Sequence, residues 1–133
     1  MRKFFFISLC ALALLGCKKN DSWQPRETVV VTGGYSELTS NSVKISARFS
    51  PLYYMDVNEY GVIISSYDSN LDLGNRSYCR SEYDSDIVSD YVAEFNGLQP
   101  GRTYYYRAFL RYDYFMSDRT EYGEVKTFTT PTQ

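Results

Sequence analysis

Leu98-Gln99-Pro100-Gly101-Arg102-Thr103-Tyr104-Tyr105-Tyr106-Arg107-Ala108-Phe109-Leu110-Arg111-Tyr112 decides how this chain folds. Leu98 and Pro100 set a tight turn and Gly101 permits it, because glycine alone enters left-handed backbone without penalty. A strand follows, and its period of two sorts the side chains. Tyr104, Tyr106, Ala108 and Leu110 are expected on an inward face, with Tyr105, Arg107, Phe109 and Arg111 pointing outward. From the first inward position Tyr104 can bury its ring while its hydroxyl reaches back to the backbone of the turn, which locks turn and strand together.

On either side of this stretch the chain reads as short alternating runs. Val29 to Thr32 precedes a turn at Gly33-Gly34. Val43, Ile45, Ala47 and Phe49 alternate with Lys44, Ser46 and Arg48 as a half-buried strand does. Tyr60 to Ser65 is more continuously apolar, Arg76 to Arg80 is weaker, and Tyr91, Ala93 and Phe95 alternate again. The last run is Tyr122 to Thr129. Seven short strands separated by turn signals, with no helical period, indicate an all-β antiparallel sandwich.

The corner resembles that of fibronectin type III domains, with their Leu-x-Pro-Gly-x-x-Tyr run. Tyr122-Gly123-Glu124-Val125-Lys126-Thr127-Phe128-Thr129-Thr130 is similar to the final strand of the fibronectin-like modules of Bacteroidota-type surface lipoproteins, and Glu59-Tyr60-Gly61-Val62 to their third strand. The resemblance spans residues 28–130 and implies a seven-stranded immunoglobulin-like sandwich in which Leu98, Pro100, Gly101 and Tyr104 are structural. The tryptophan usual in the second strand is absent, and Phe49 is placed to fill its space.

Residues 1–16 have the build of a secretory signal: Arg2 and Lys3, then an apolar run from Phe4 to Leu15, then Gly16. The run is 12 residues, whereas a membrane-spanning helix needs roughly 20. Leu14-Leu15-Gly16-Cys17 resembles a bacterial lipobox, which implies that Cys17 carries lipid. Cys10 then leaves with the signal and Cys79 alone remains in the folded part, so no internal disulfide is expected and the domain rests on its core. Cys79 reads as a small core filler. Residues 17–27 read as the lipidated cysteine and a polar tether; the ten residues Lys18 to Glu27 extend to at most ~33 Å. Lys18 in place of aspartate after the cysteine implies, by resemblance to lipoprotein sorting signals, the outer membrane, with either the periplasm or the cell surface in front of it. Residues 28–130 form one domain and 131–133 a tail.

Composition narrows the function. Without Arg2 and Lys3 the chain keeps 12 basic residues against 16 acidic ones, a net charge of −4, which argues against nucleic acid. There is no histidine, which removes the commonest general base near neutral pH and every Ser-His-Asp or Cys-His arrangement. A carboxylate-based hydrolase stays the weakest of the alternatives, and no cofactor is expected.

Fibronectin topology implies that three loops share one pole: Ser50 to Asn58, Ser81 to Asp90 and Asp113 to Thr120. Their candidate binding residues are Tyr53, Tyr54 and Asp56; Tyr83 and Asp84; and Asp113, Tyr114 and Phe115. Aromatics among small polar residues and carboxylates resemble a paratope, in which tyrosine supplies contact area at low entropic cost. Two partners remain open: an envelope protein, or a glycan whose apolar faces stack on the rings while Asp56, Asp84, Asp113 and Asp118 accept from its hydroxyls. A calcium site at Asp84, Asp86 and Asp90 lacks any calcium-loop motif, and no metal is expected. A chain with 14 tyrosines also places some in its loops without any ligand.

Overall fold

The computed structural model describes residues 28–50, 56–67, 70–81 and 90–133. The signal and tether with Cys17, and Tyr53, Tyr54, Tyr83, Asp84 and Asp86, lie outside the described residues, as does the side chain of Cys79. The strands are β1 (Val30–Ser36), β2 (Ser42–Phe49), β3 (Asp56–Ser65), β4 (Arg76–Ser81), β5 (Asp90–Asn96), β6 (Thr103–Tyr114), β7 (Ser117–Tyr122) and β8 (Lys126–Thr129), with one short helical turn at Leu73–Asn75. They form two antiparallel sheets, β1-β2-β5 and β4-β3-β6-β7, with β8 pairing further down β6. β7 and β8 are successive pieces of one run along β6, so the architecture is the seven-stranded sandwich that the alternation implies.

The core forms where the two inward faces meet. Val43, Ile45, Ala47 and Phe49 of β2 and Tyr91, Ala93 and Phe95 of β5 face Tyr60 and Val62 of β3, Tyr104, Tyr106, Ala108, Leu110 and Tyr112 of β6, and Phe128 of β8. Phe49 lies 5.2 Å from Tyr60 and 6.3 Å from Tyr91 between ring centroids, an aromatic cluster within the core. Tyrosine hydroxyls in this interior need partners. Tyr91 Oη donates to the Gly61 carbonyl across the sheets at 2.7 Å, and Tyr106 Oη to the Gly33 carbonyl at 3.1 Å. Burial, and then the neighbouring Tyr35, push the Tyr106 hydroxyl above its ordinary value of 10.0, which keeps it protonated as the donor.

At the corner, the Gln99 N–H donates to Tyr104 Oη at 2.8 Å. Thr130 closes the other side: its hydroxyl donates to the Gln99 carbonyl at 2.6 Å and accepts the Arg102 N–H at 2.9 Å. Gly101 has φ +65, as the turn requires.

Four expectations are corrected. Gly33-Gly34 is not a turn; β1 runs through it as a bulge, pairing Thr32 with Ala47 and Tyr35 with Ile45. The reason is close approach, since a Cβ on Gly33 would overlap the hydroxyl and carbonyl oxygens of Ser46. Phe109 does not point to solvent: it is fully buried with Ile63 and Leu71 in a second small cluster, flanked by Leu73, Tyr105 and Tyr122. The segment before β4 places Leu71 over the outer face of the β3-β6 sheet, which alternation within β6 cannot reveal. The last run is not continuous. It breaks at Gly123, whose N–H donates to the Ala108 carbonyl at 2.9 Å, while the Ala108 N–H donates to the buried Thr32 hydroxyl at 3.0 Å. Finally, Asp113 to Thr120 is mostly strand: β6 and β7 are joined by the two residues Phe115 and Met116, and β3 already begins at Asp56.

Two substitutions test these contacts by chemical denaturation. Gly123→Ala places a methyl on Thr32 Oγ1 and 2.8 Å from its backbone nitrogen, and is expected to lower stability by about 2 kcal/mol or more. Tyr104→Phe leaves the Gln99 N–H without its acceptor and is expected to lose about 1–2 kcal/mol; an unchanged midpoint would show that the hydroxyl does not hold the corner.

Candidate functional site: the β6–β7 hairpin pole

The β6–β7 hairpin is where sequence-predicted site residues come together. The Tyr114–Ser117 pair closes it, leaving Phe115 and Met116 as the turn. Both have positive φ, 47 and 62, the backbone of a two-residue hairpin turn that normally selects asparagine and glycine. An L side chain there costs roughly 1–2 kcal/mol. Two bulky apolar residues therefore occupy the turn against conformational preference, and they are 74% and 102% exposed. Such strain is an indication of function when it persists at an exposed site.

Beside the tip, the ladder sets acids in a row. Asp56 of β3 stands opposite Asp113 of β6, and Asp113 opposite Asp118 of β7. Cross-strand partners share a face, so the three lie on the outer face of the β3-β6-β7 sheet. Like charges opposite one another are unfavourable, and a cation from the next row offsets part of this. Arg111 Nε donates to both oxygens of Asp118 at 3.0 and 3.1 Å, and Nη2 to Oδ2 at 2.9 Å. The paired guanidinium holds the Asp118 carboxyl below its ordinary value of 3.8. A carboxyl that delivers protons at neutral pH needs the opposite shift, so this pair suits recognition better than acid catalysis.

On the other face of the hairpin, Tyr114 is half-buried against the core. Phe115 packs edge-on to its ring at 4.5 Å and the Arg119 guanidinium lies 5.2 Å above it. Asp56, Asp113, Tyr114 and Phe115 thus share one pole. Met116, the most exposed apolar residue described, joins them; nothing in the residue types Tyr-Phe-Met-Ser marks it as a turn. Asp90 begins β5, and no three metal-ligating side chains gather among the described residues. Of the ten tyrosines whose side chains are described, five are core residues: Tyr60, Tyr91, Tyr104, Tyr106 and Tyr112. Tyrosine content alone is therefore no sign of a ligand in this chain.

Among known proteins, the likeness is one of fold. The sandwich superposes on the sensor domain of the anti-sigma factor RsgI4 of Pseudobacteroides cellulosolvens with a TM-score of 0.57 at 16% identity, covering 84% of this chain and 100% of that one in a short form. A solution structure of the same sensor domain gives 0.57 and 16%, with 79% and 76% covered. The sixth fibronectin type III domain of human fibronectin type III domain containing protein 3 gives 0.55 at 18% identity, with 77% and 84% covered. The chain has a fibronectin type III-like fold. No protein-family model matches it, and no curated protein matches it in sequence. At these identities the fibronectin-like likeness carries the architecture and nothing about a partner.

The Arg111–Asp118 pair makes a pH prediction. Because the folded-state pKa of Asp118 is depressed, its contribution is present above the unfolded value near 3.8 and is lost as pH falls through the folded one. Asp118→Asn is expected to flatten the acid limb of the stability profile below about pH 4, with a smaller difference at high salt because the pair is exposed. Equal acid limbs in both proteins would show that the pair adds nothing to acid stability.

Proposed function

We propose that this protein is a lipid-anchored, non-enzymatic envelope module that works by contact, meeting another envelope protein with its hairpin pole. The observation that carries this reading is the row of carboxylates Asp56, Asp113 and Asp118 with the half-buried Tyr114, gathered beside the exposed Phe115–Met116 turn. Exposed apolar residues rimmed by polar ones mark interaction sites, and tyrosine and arginine are enriched at protein contacts. The acidic row favours a partner with basic residues opposite it. Cys17 and the signal before it supply the anchor in this reading, and the outer membrane is the compartment that Lys18 suggests. Two neighbours of the fold are described as a sensor domain and a fibronectin type III domain, and neither description is of an enzyme.

Two measurements test the halves separately. Cys17→Ser is expected to move the protein out of the outer-membrane fraction, either released or uncleaved at the inner membrane; unchanged fractionation would end the lipoprotein reading. Crosslinking in intact cells, followed by purification, is expected to recover a partner with the native protein and to lose most of it with Asp113→Lys combined with Tyr114→Ala, provided circular dichroism shows the variant folded. Equal recovery would exclude the hairpin pole. A glycan array on which the native domain binds and this variant does not would replace the protein partner with a sugar.

A further inference from the structure

The described chain begins at the pole that carries the apolar tip. Thr28 Oγ1 donates to Tyr112 Oη at 3.1 Å, and the Val29 carbonyl accepts the Ser50 N–H at 2.8 Å. Tyr112 sits two residues before the closing pair of the hairpin. Whatever precedes Thr28 therefore joins the domain at the hairpin pole. Cys17 is 11 residues before Thr28, a contour of at most ~36 Å. From Tyr112 down β6 to Thr103 is nine steps, or about 30 Å. A tether held at Cys17 would have to lie nearly taut along the sandwich before the opposite pole could reach lipid. The hairpin pole reaches lipid with far less of the tether extended than the opposite pole does.

We infer that the hairpin tip is a second membrane contact. Phe115 and Met116 enter the headgroup boundary of the leaflet that holds the anchor, and the domain stands on this pole. The inference rests on the anchor of the proposed function and names what the tip itself meets, leaving Asp56, Asp113 and Tyr114 as the shoulder that an envelope protein rising from the same leaflet would touch. The tip suits the task. Its two side chains are apolar and largely exposed, and Tyr114 behind them is an amphipathic ring of the kind that settles at membrane interfaces. Arg119 above that ring can keep its charge in water while its stem lies along apolar surface. The charge around the tip chooses the lipid: among the described residues there, Asp56, Asp113 and Asp118 outnumber Arg111, which is engaged with Asp118, and Arg119. A zwitterionic surface accepts this pole and an anionic one repels it.

The test holds the chain at its natural point without relying on acylation. Residues 18–133, which include every described residue, carry a hexahistidine tag in place of residues 1–17 and are held on phosphatidylcholine–phosphatidylethanolamine vesicles by a nickel-chelating lipid. Trp23→Phe removes the single native indole. Phe115→Trp or Gln133→Trp, each added to that background, then places one indole at the hairpin pole or at the C-terminal end near the opposite corner, where the Gly101 N–H meets the Pro131 carbonyl. With lipids brominated near the headgroup, the emission of the Phe115→Trp protein is expected to be blue-shifted and quenched several-fold more than that of the Gln133→Trp protein. Adding Met116→Ser, or replacing half of the phospholipid with phosphatidylglycerol, should weaken that quenching. Equal quenching of the two proteins overturns the inference. So does shielding of the hairpin indole in native envelope membranes but not in protein-free vesicles, which would assign the tip to a protein. A failed anchor would show instead as an N-terminal peptide of the native protein without acyl mass, a result independent of the vesicle comparison.

Discussion

The structure depends on one hydroxyl placed between two sheets. Thr32 stays paired with Ala47 in its own sheet, beside the Gly33-Gly34 bulge, and its hydroxyl accepts the Ala108 N–H of β6. That N–H lies at the point where the last run is interrupted by Gly123. Without glycine at 123, the neighbouring backbone could not come so close. A buried amide left without a partner is unfavourable by more than the average hydrogen bond is favourable, so Thr32, Ala108 and Gly123 stand or fall together. β6 can then run 12 residues, long enough to pair with β3, β7 and β8 and to carry the hairpin at its far end.

Around that junction the tyrosines act as fasteners rather than as a ligand surface. Tyr91 reaches Gly61, Tyr106 reaches Gly33, Tyr104 takes the Gln99 N–H and Tyr112 takes the Thr28 hydroxyl. Each ring fills apolar space while its hydroxyl bonds a backbone or side-chain group at the core or its margin. In a domain without an expected disulfide this supplies crosslinks between strands and sheets. The core thereby accounts for half of the described tyrosines, and it does not account for the two adjacent apolar side chains exposed at the hairpin tip, Phe115 and Met116.

Much of the fold is legible because most strands obey alternation: β2 and β5 each bury every second residue, and the Pro100-Gly101 turn announces β6. The exceptions have local causes. Phe109 sits at an outward position that Leu71 covers from a distant segment. Gly33-Gly34 looks like a turn because a bulge and a turn draw on the same residue. The hairpin after Tyr114 reads as a longer loop because its tip holds Phe and Met where turn chemistry calls for Asn and Gly. The site is legible in part: Asp56, Asp113, Tyr114 and Phe115 stand out in the sequence as loop residues, and three of them lie in strands.

Sequence by itself determined the class of fold, the inward set of β2, β5 and most of β6, and the corner built on Leu98, Pro100, Gly101 and Tyr104, because alternation and turn chemistry are local properties written in neighbouring residues. Only the tertiary structure decided that Phe109 is core, that Gly123 makes room for Thr32, and that Asp56, Asp113 and Asp118 form one row beside an apolar tip at the pole where Thr28 enters. Those relations join residues as far apart in the chain as Thr32 and Gly123. They follow from how two twisted sheets close on each other, and no local pattern encodes that.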